Sequence, residues 1–180
     1  MLVRVILSES AQFELPPGGF VTIDGDSGRG FMEITASGPG GNRRARLGSI
    51  RLGRTSVEEG SVWEVENSEA SSGWGPLLYD LAMELAGPDY MGDLGIAPDR
   101  MNVSPSARGV WRHYFESRPD VEHEPLPDWY SDVERSEPLR YYYFKLDAPV
   151  LSRLIAADSV RSSSDGYPFS EFLRDKGSGA

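Results

Sequence analysis

The 180-residue chain has no cysteine, which excludes a disulfide framework, a thiolate nucleophile, an iron–sulfur cluster and any cysteine-based zinc site. Histidine is almost as scarce. Only His113 and His123 occur, and their separation matches no compact helical ligand pair, so no metal centre is expected. Long apolar runs are missing too: the N-terminal MLVRVILSES is shorter than a signal sequence and far shorter than a membrane span. Together these absences predict a soluble cytoplasmic protein with no membrane partner.

Positive charge is the remaining shortage. Lys and Arg number 18 against 28 Asp and Glu, a formal net charge of −10. Residues 1–60 balance seven basic with seven acidic side chains, whereas residues 61–180 hold eleven against twenty-one and carry the whole excess. An extended nucleic-acid surface there would meet repulsion, so nucleic acid is not expected as a partner. The exception is Arg43, Arg44, Arg46, Arg51 and Arg54, a stretch with no intervening acid. On a strand, period-two geometry would put Arg44, Arg46 and Arg54 on one side and Arg43 and Arg51 on the other. Both a solvated arginine-decorated hairpin and a phosphate contact fit that stretch.

What is present is enough apolar material, 39% of residues, for one packed interior at this length. We expect a single domain over residues 1–176, with 177–180 (Gly-Ser-Gly-Ala) as a flexible tail. Val3–Leu7 reads as a first strand, and Pro16-Pro17-Gly18-Gly19 breaks it from a second at Phe20–Ile23. The turn residues of 24–30 lead into alternation at Phe31–Thr35, which predicts a hairpin. Further strands are expected at Ala45–Leu52 and Val62–Val65. Leu77, Leu78, Leu81, Ala82 and Leu85 recur at helical spacing after Pro76, predicting a helix over 76–86 that stops at Gly87-Pro88. Ser104-Pro105 opens a second helix with a packing face of Ala107, Val110, Trp111, Tyr114 and Phe115. Residues 119–138, with four prolines among many acids, read as a long irregular connection. A strand at Leu139–Leu146, a short helix at Pro149–Ala157 and a turn or two at Pro168–Arg174 complete the chain. The fold class is therefore mixed α/β: a central, mostly antiparallel twisted sheet with helices packed on it.

The segment with chemical interest is Val62-Trp63-Glu64-Val65-Glu66, then Ala70-Ser71-Ser72-Gly73-Trp74-Gly75-Pro76, then the first helix. In physical terms this is strand, glycine loop, helix. Glycines permit close backbone approach, and a helix start offers unpaired amides and the positive end of its dipole to an anion. Pro76 removes one of those amides. A tight turn needed only for packing explains the two glycines equally well.

Over about residues 62–115 the chain resembles the GCN5-related N-acetyltransferase superfamily. Ala70, Gly73 and Gly75 fall on that family's Gln/Arg-x-x-Gly-x-Gly/Ala loop. Ser104, Ala107 and Val110 fall on its Asn-x-x-Ala-x-x-hydrophobic-Tyr helix, with Trp111 in the tyrosine position. The resemblance implies an N-acetyltransferase-like fold in which Ser72, Gly73, Trp74 and Gly75 bind the pyrophosphate of acetyl-CoA or another acyl-CoA. It also implies transfer of the acyl group to an amine on a small molecule or protein. Such a transfer needs a base for the amine and an acid for the leaving thiolate. Glu64 and Glu66, sharing a strand face by period two, are candidates for the base, and Tyr114, three residues beyond Trp111, for the acid. The alternative is a catalytically inactive acidic interaction or structural module whose 119–138 loop contacts a basic protein surface.

Several other chemistries fail on context. Gly28-x-Gly30 precedes a strand and opens no helix, so it is no dinucleotide fingerprint. No serine occupies a Gly-x-Ser-x-Gly elbow. The acids of 116–124 lack the alternation of a calcium loop. The run Tyr141-Tyr142-Tyr143-Phe144 places alternate rings on opposite sheet faces, where packing has the first claim on them.

Overall fold

Breakers and alternation build the first half of the fold as a meander. The computed structural model describes residues 14–26, 29–40, 45–99, 103–127 and 137–162. Strands β1 (Phe20–Asp26), β2 (Phe31–Ser37), β3 (Arg46–Val57) and β4 (Gly60–Ala70) pair antiparallel in succession. A central helix α1 (Gly75–Ala86) then carries the chain to β5 (Gly95–Pro98), which lies parallel to β4. Helix α2 (Pro105–Ser117), strand β6 (Glu122–Pro125), a 3₁₀ turn (Glu137–Arg140), strand β7 (Tyr141–Phe144), helix α3 (Pro149–Ala156) and strand β8 (Val160–Ser162) follow. Among the described residues the sheet has eight strands in the order β6-β7-β5-β4-β3-β2-β1-β8, with β8 parallel to β1. This is one α/β domain with a mixed, mostly antiparallel sheet and three packed helices.

The helices share one face of that sheet. Val21, Ile23, Met32, Ile34, Ile50, Leu52, Trp63, Val65, Ile96 and Tyr143 alternate along their strands and form one core with the buried residues of α1, α2 and α3. The intervening residues face the other way, where Val62, Ala97 and Tyr142 make a smaller cluster with Val57, Leu94, Leu126 and Phe144. The aromatic run of β7 thus splits between the two faces by period two, as its spacing predicts.

Four elements depart from the sequence-based expectations, strand β8 among them, a three-residue strand that was not predicted. Strand β5 was not predicted because it has four residues, begins in glycine and ends in proline, yet all four are buried near the centre of the sheet. Gly95 is required there: its φ is +140° and an added Cβ would run into the Tyr143 carbonyl oxygen. The 119–138 stretch is not wholly irregular, since Glu122–Pro125 pairs antiparallel with β7 at the sheet edge. Its proline sits at the strand end, where a missing amide is tolerated. The third is the arginine stretch. A bulge at Leu47, between the Ala36–Gly48 and Ser37–Arg46 pairs, moves Arg46 to the face of Arg51, whereas a second bulge places its extra residue, Glu66, on β4 and leaves Arg51 and Arg54 on opposite faces. Arg46 therefore meets Glu33 and Arg51 stands opposite Glu33 on the outer face, while Arg54 turns to the helix side and bonds Asp93. The expected strand at Val3–Leu7, the turns at 168–174, the tail at 177–180 and Arg43 and Arg44 lie outside the described residues.

Helix α1 is buried from Leu77 to Ala86, acids included. Asp80 and Glu84, one turn apart, are 0% and 1% exposed, a position that carboxylates hold only when paired. Glu84 accepts hydrogen bonds from Lys145 Nζ at 3.0 Å and from the backbone amides of Val150 at 3.2 Å and Leu151 at 2.7 Å. It therefore caps α3 from another helix. Pro149, at the first position of α3, has no amide of its own to satisfy. Burial pushes the Glu84 carboxyl up, and the Lys145 charge and the two amides pull against that shift. Replacing Glu84 by Ala would leave the first amides of α3 without their acceptor and Lys145 with only its longer contacts to Asp80 and Asp120. We expect Glu84→Ala to lower stability by about 3–5 kcal/mol in urea unfolding, with part of the loss recovered in the Glu84→Ala/Lys145→Met double variant.

Candidate functional site

Strand β4 runs on to Ala70, beyond the Val65–Pro98 pair that ends its pairing with β5. Pro98 has no amide to extend that ladder. The chain then turns through Ser71-Ser72-Gly73-Trp74 into α1. Gly73 takes a φ of +92°, a left-handed conformation that disfavours side chains, and the Trp74 amide donates to the Ser71 carbonyl at 3.1 Å. Trp74 packs half-buried against the main core, while Ser72 and Gly73 stay exposed.

A cleft of about 360 Å³ opens where this turn enters the helix. Gly75, Pro76 and Tyr79 of α1 form one wall, and Ser106, Gly109, Val110, His113 and Tyr114 of α2 form the other. An added Cβ at Gly75 or Gly109 would meet nothing within 4 Å, so both helix backbones are open to the cleft. The α2 wall follows helical spacing: residues 106, 109, 110 and 113 form one stripe beside the packing face. Helix α2 begins as its residues predict, with Ser104 Oγ accepting from the Ala107 amide at 3.2 Å and Pro105 at the first position.

The walls are largely apolar because the tyrosine hydroxyls are engaged behind them. Tyr79 shares a 3.1 Å hydrogen bond with Ser68, and burial pushes its phenol up. The Tyr114 hydroxyl donates to Asp80 Oδ1 at 3.5 Å, the outer limit of such a bond. The Arg118 guanidinium lies 5.3 Å from the centre of the Tyr114 ring, within cation–π range. Arg118 also donates to Asp80 Oδ2 at 2.9 Å and, in a fork, to both oxygens of Asp120 at 2.7 and 2.8 Å. Lys145 Nζ lies 3.5 Å from Asp120 and 3.7 Å from Asp80. Tyr114 is thus the point at which the cleft meets a buried network of charges.

The residues proposed from sequence separate in space. Gly75 and Tyr114 come to the same cleft. Ser72, Gly73 and Trp74 form the turn leading to it without lining it. Glu64 and Glu66 do share a face, but it is the sheet face opposite the helices: Glu64 pairs with Gly53, and Glu66 folds over Gly53 to reach Arg51 at 3.2 Å. Tyr79, Ser106, Gly109 and His113 escaped notice in the sequence, although the Ser-Gly-His stripe at helical spacing was their available signal. Of the arginine stretch, Arg46, Arg51 and Arg54 each hold a carboxylate, the last bidentate to a buried Asp93 that also accepts from Trp63 Nε1 at 2.7 Å.

Among the described residues no group of three or more His, Asp or Glu could hold a metal ion, and no helix is long and apolar enough to cross a membrane. No protein-family profile matches the chain, and no curated protein matches its sequence.

The charge network generates a pH dependence. The Arg118 guanidinium holds the Asp120 carboxyl below its ordinary 3.8, at about 2. A carboxyl depressed in the folded state stabilises it above the ordinary value, and that contribution is lost as pH falls from about 4 through about 2. Urea midpoints measured from pH 2 to 7 should therefore fall more steeply below pH 4 for the native chain than for Asp120→Asn, which should be the less stable of the two at pH 7.

Proposed function

We propose that the chain transfers an acyl group from an acyl-coenzyme A to an amine, with the cleft between α1 and α2 as its site. The observation that carries this reading is that one cleft joins Gly75, which ends the Ala70-x-x-Gly73-x-Gly75 spacing, to Tyr114, the candidate acid. The two residues line the same cleft from positions 39 residues apart in the chain, with the pyrophosphate and thiol ends of the cofactor separated by its pantetheine arm.

Among the described residues no lysine or arginine lines the cleft, so a pyrophosphate at its mouth would be held by backbone: the turn at Ser72-Gly73 outside the cleft, the open Gly75 and the dipole of the twelve-residue α1. Pro76 withholds one amide. When bound, the acyl-coenzyme A supplies an activated thioester. The chain's own residues would orient it between the two glycine-bearing helices and wall it with Tyr79, Val110 and Pro76; Tyr114 would act as acid by turning its hydroxyl from Asp80 toward the leaving sulfur.

Calorimetric titration with coenzyme A tests the reading. The native chain should bind at micromolar to millimolar concentration. Gly75→Trp, whose ring would enter open space, should retain the native urea midpoint and lose binding at least tenfold. Absence of heat at millimolar coenzyme A would overturn the acyltransferase reading and leave the acidic interaction module in its place.

A further inference from the structure

Helix α2 carries a glycine in its interior that nothing around it requires. After proline, glycine is the residue that weakens a helix most. Gly109 has no positive φ, and a Cβ added to it would meet no atom within 4 Å. A methyl group would fit there and strengthen α2. Gly75, across the cleft on α1, has the same open space. Between them the two positions keep open a volume of about 360 Å³ that larger side chains would enter.

What that space accepts is set by its walls. They are aromatic: the Tyr79 and Tyr114 rings lie 5.8 Å apart with a 33° tilt, Trp111 packs edge-on against Tyr79, and His113 sets a further ring beside Tyr114. Ser68 and Asp80 hold the two phenol hydroxyls, so these rings are fixed in advance and lose little freedom when a ligand arrives. Among the described residues no Lys, Arg, Asp or Glu lines the cleft. Asp80 and Arg118 lie behind Tyr114 and are bonded to each other. A charged ligand would therefore shed its hydration with no counter-charge in reach. A flexible aliphatic chain would lose rotamer freedom on binding. A flat, uncharged ring avoids both costs, and tyrosine rings pair well with another ring.

We infer that the cleft between α1 and α2 is a binding site for a small, uncharged aromatic compound, held noncovalently against Tyr79 and Tyr114 between Gly75 and Gly109. The volume falls at the small end of ligand pockets, about 300–1,000 Å³. It matches roughly a dozen water-sized groups, which suits a single or fused double ring. Such binding is independent of acyl transfer, because it needs neither a proton donor nor an anion site.

Indole tests the site, with indole-3-acetate and tryptamine as the same ring carrying a negative or a positive charge. In NMR titrations of the full chain, indole should shift the Gly75 and Gly109 amide resonances saturably at millimolar concentration or below. Each charged analogue should bind at least about tenfold more weakly. Gly109→Leu, whose side chain enters the open space, should lose indole at least about tenfold. Gly109→Ala should weaken indole in the same direction and raise the urea midpoint, whereas a lowered midpoint would show a glycine required for folding and overturn the inference. No saturable shift with indole, equal affinity for all three compounds, or native affinity in Gly109→Leu would also overturn it. Calorimetry with coenzyme A separates the two readings. Indole binding without coenzyme A binding leaves this site standing and overturns acyl transfer, and the reverse result overturns this site alone.

Discussion

The structure depends on placing two carboxylates, Asp80 and Glu84, inside a helix that is buried from Leu77 to Ala86. Charged groups in that position must be answered within the protein, and the answers come from everywhere the helix touches. Lys145 arrives from the end of β7, Arg118 from the end of α2 and the first amides of α3 from the other side. The network therefore fixes the relative positions of three helices and the sheet more narrowly than apolar contact would. Asp80, Glu84 and Asp120 face Arg118 and Lys145, three negative charges against two positive. The amides and positive dipole end of α3 compensate the third.

That arrangement also decides what the cleft can be. Tyr114 is held by Asp80 and by the Arg118 cation on the inner side, so its ring can serve as cleft wall while its hydroxyl communicates with the charges beneath. The outer sheet face carries Glu66 paired with Arg51 and Glu64 opposite Gly53, and neither glutamate lines the cleft.

Much of this was legible in the residues. Alternation and turn signals located β1 to β4, the leucine spacing located α1, and Ser104-Pro105 located the start of α2 to the residue. What escaped was decided by tertiary context. Strand β5 is four buried residues bounded by glycine and proline, too short for periodicity to register. The bulge at Leu47 that moves Arg46 leaves no local signature, and parity counting fails once one residue is added to a strand. Asp80 and Glu84 look like the polar side of an amphipathic helix because nothing local announces that α3 and Lys145 cover it. The cleft was half visible: the glycine loop and Tyr114 stood out, but the Ser106, Gly109 and His113 stripe acquires meaning only beside α1.

Strand β8 offers a different consequence. It pairs with β1 through three residues, Val21 with Val160 to Ile23 with Ser162, and it is the outermost strand on that side. Joining partners so distant along the chain carries the greatest loop-closure entropy of any pairing in the sheet, against the fewest ladder bonds of its flank. Assembly of this border must wait for the meander and for α3, and amide exchange will reach it well before the β3–β4 ladder. The domain is thus seamed kinetically along β1, with its first described strand and its last joined only after the rest has formed.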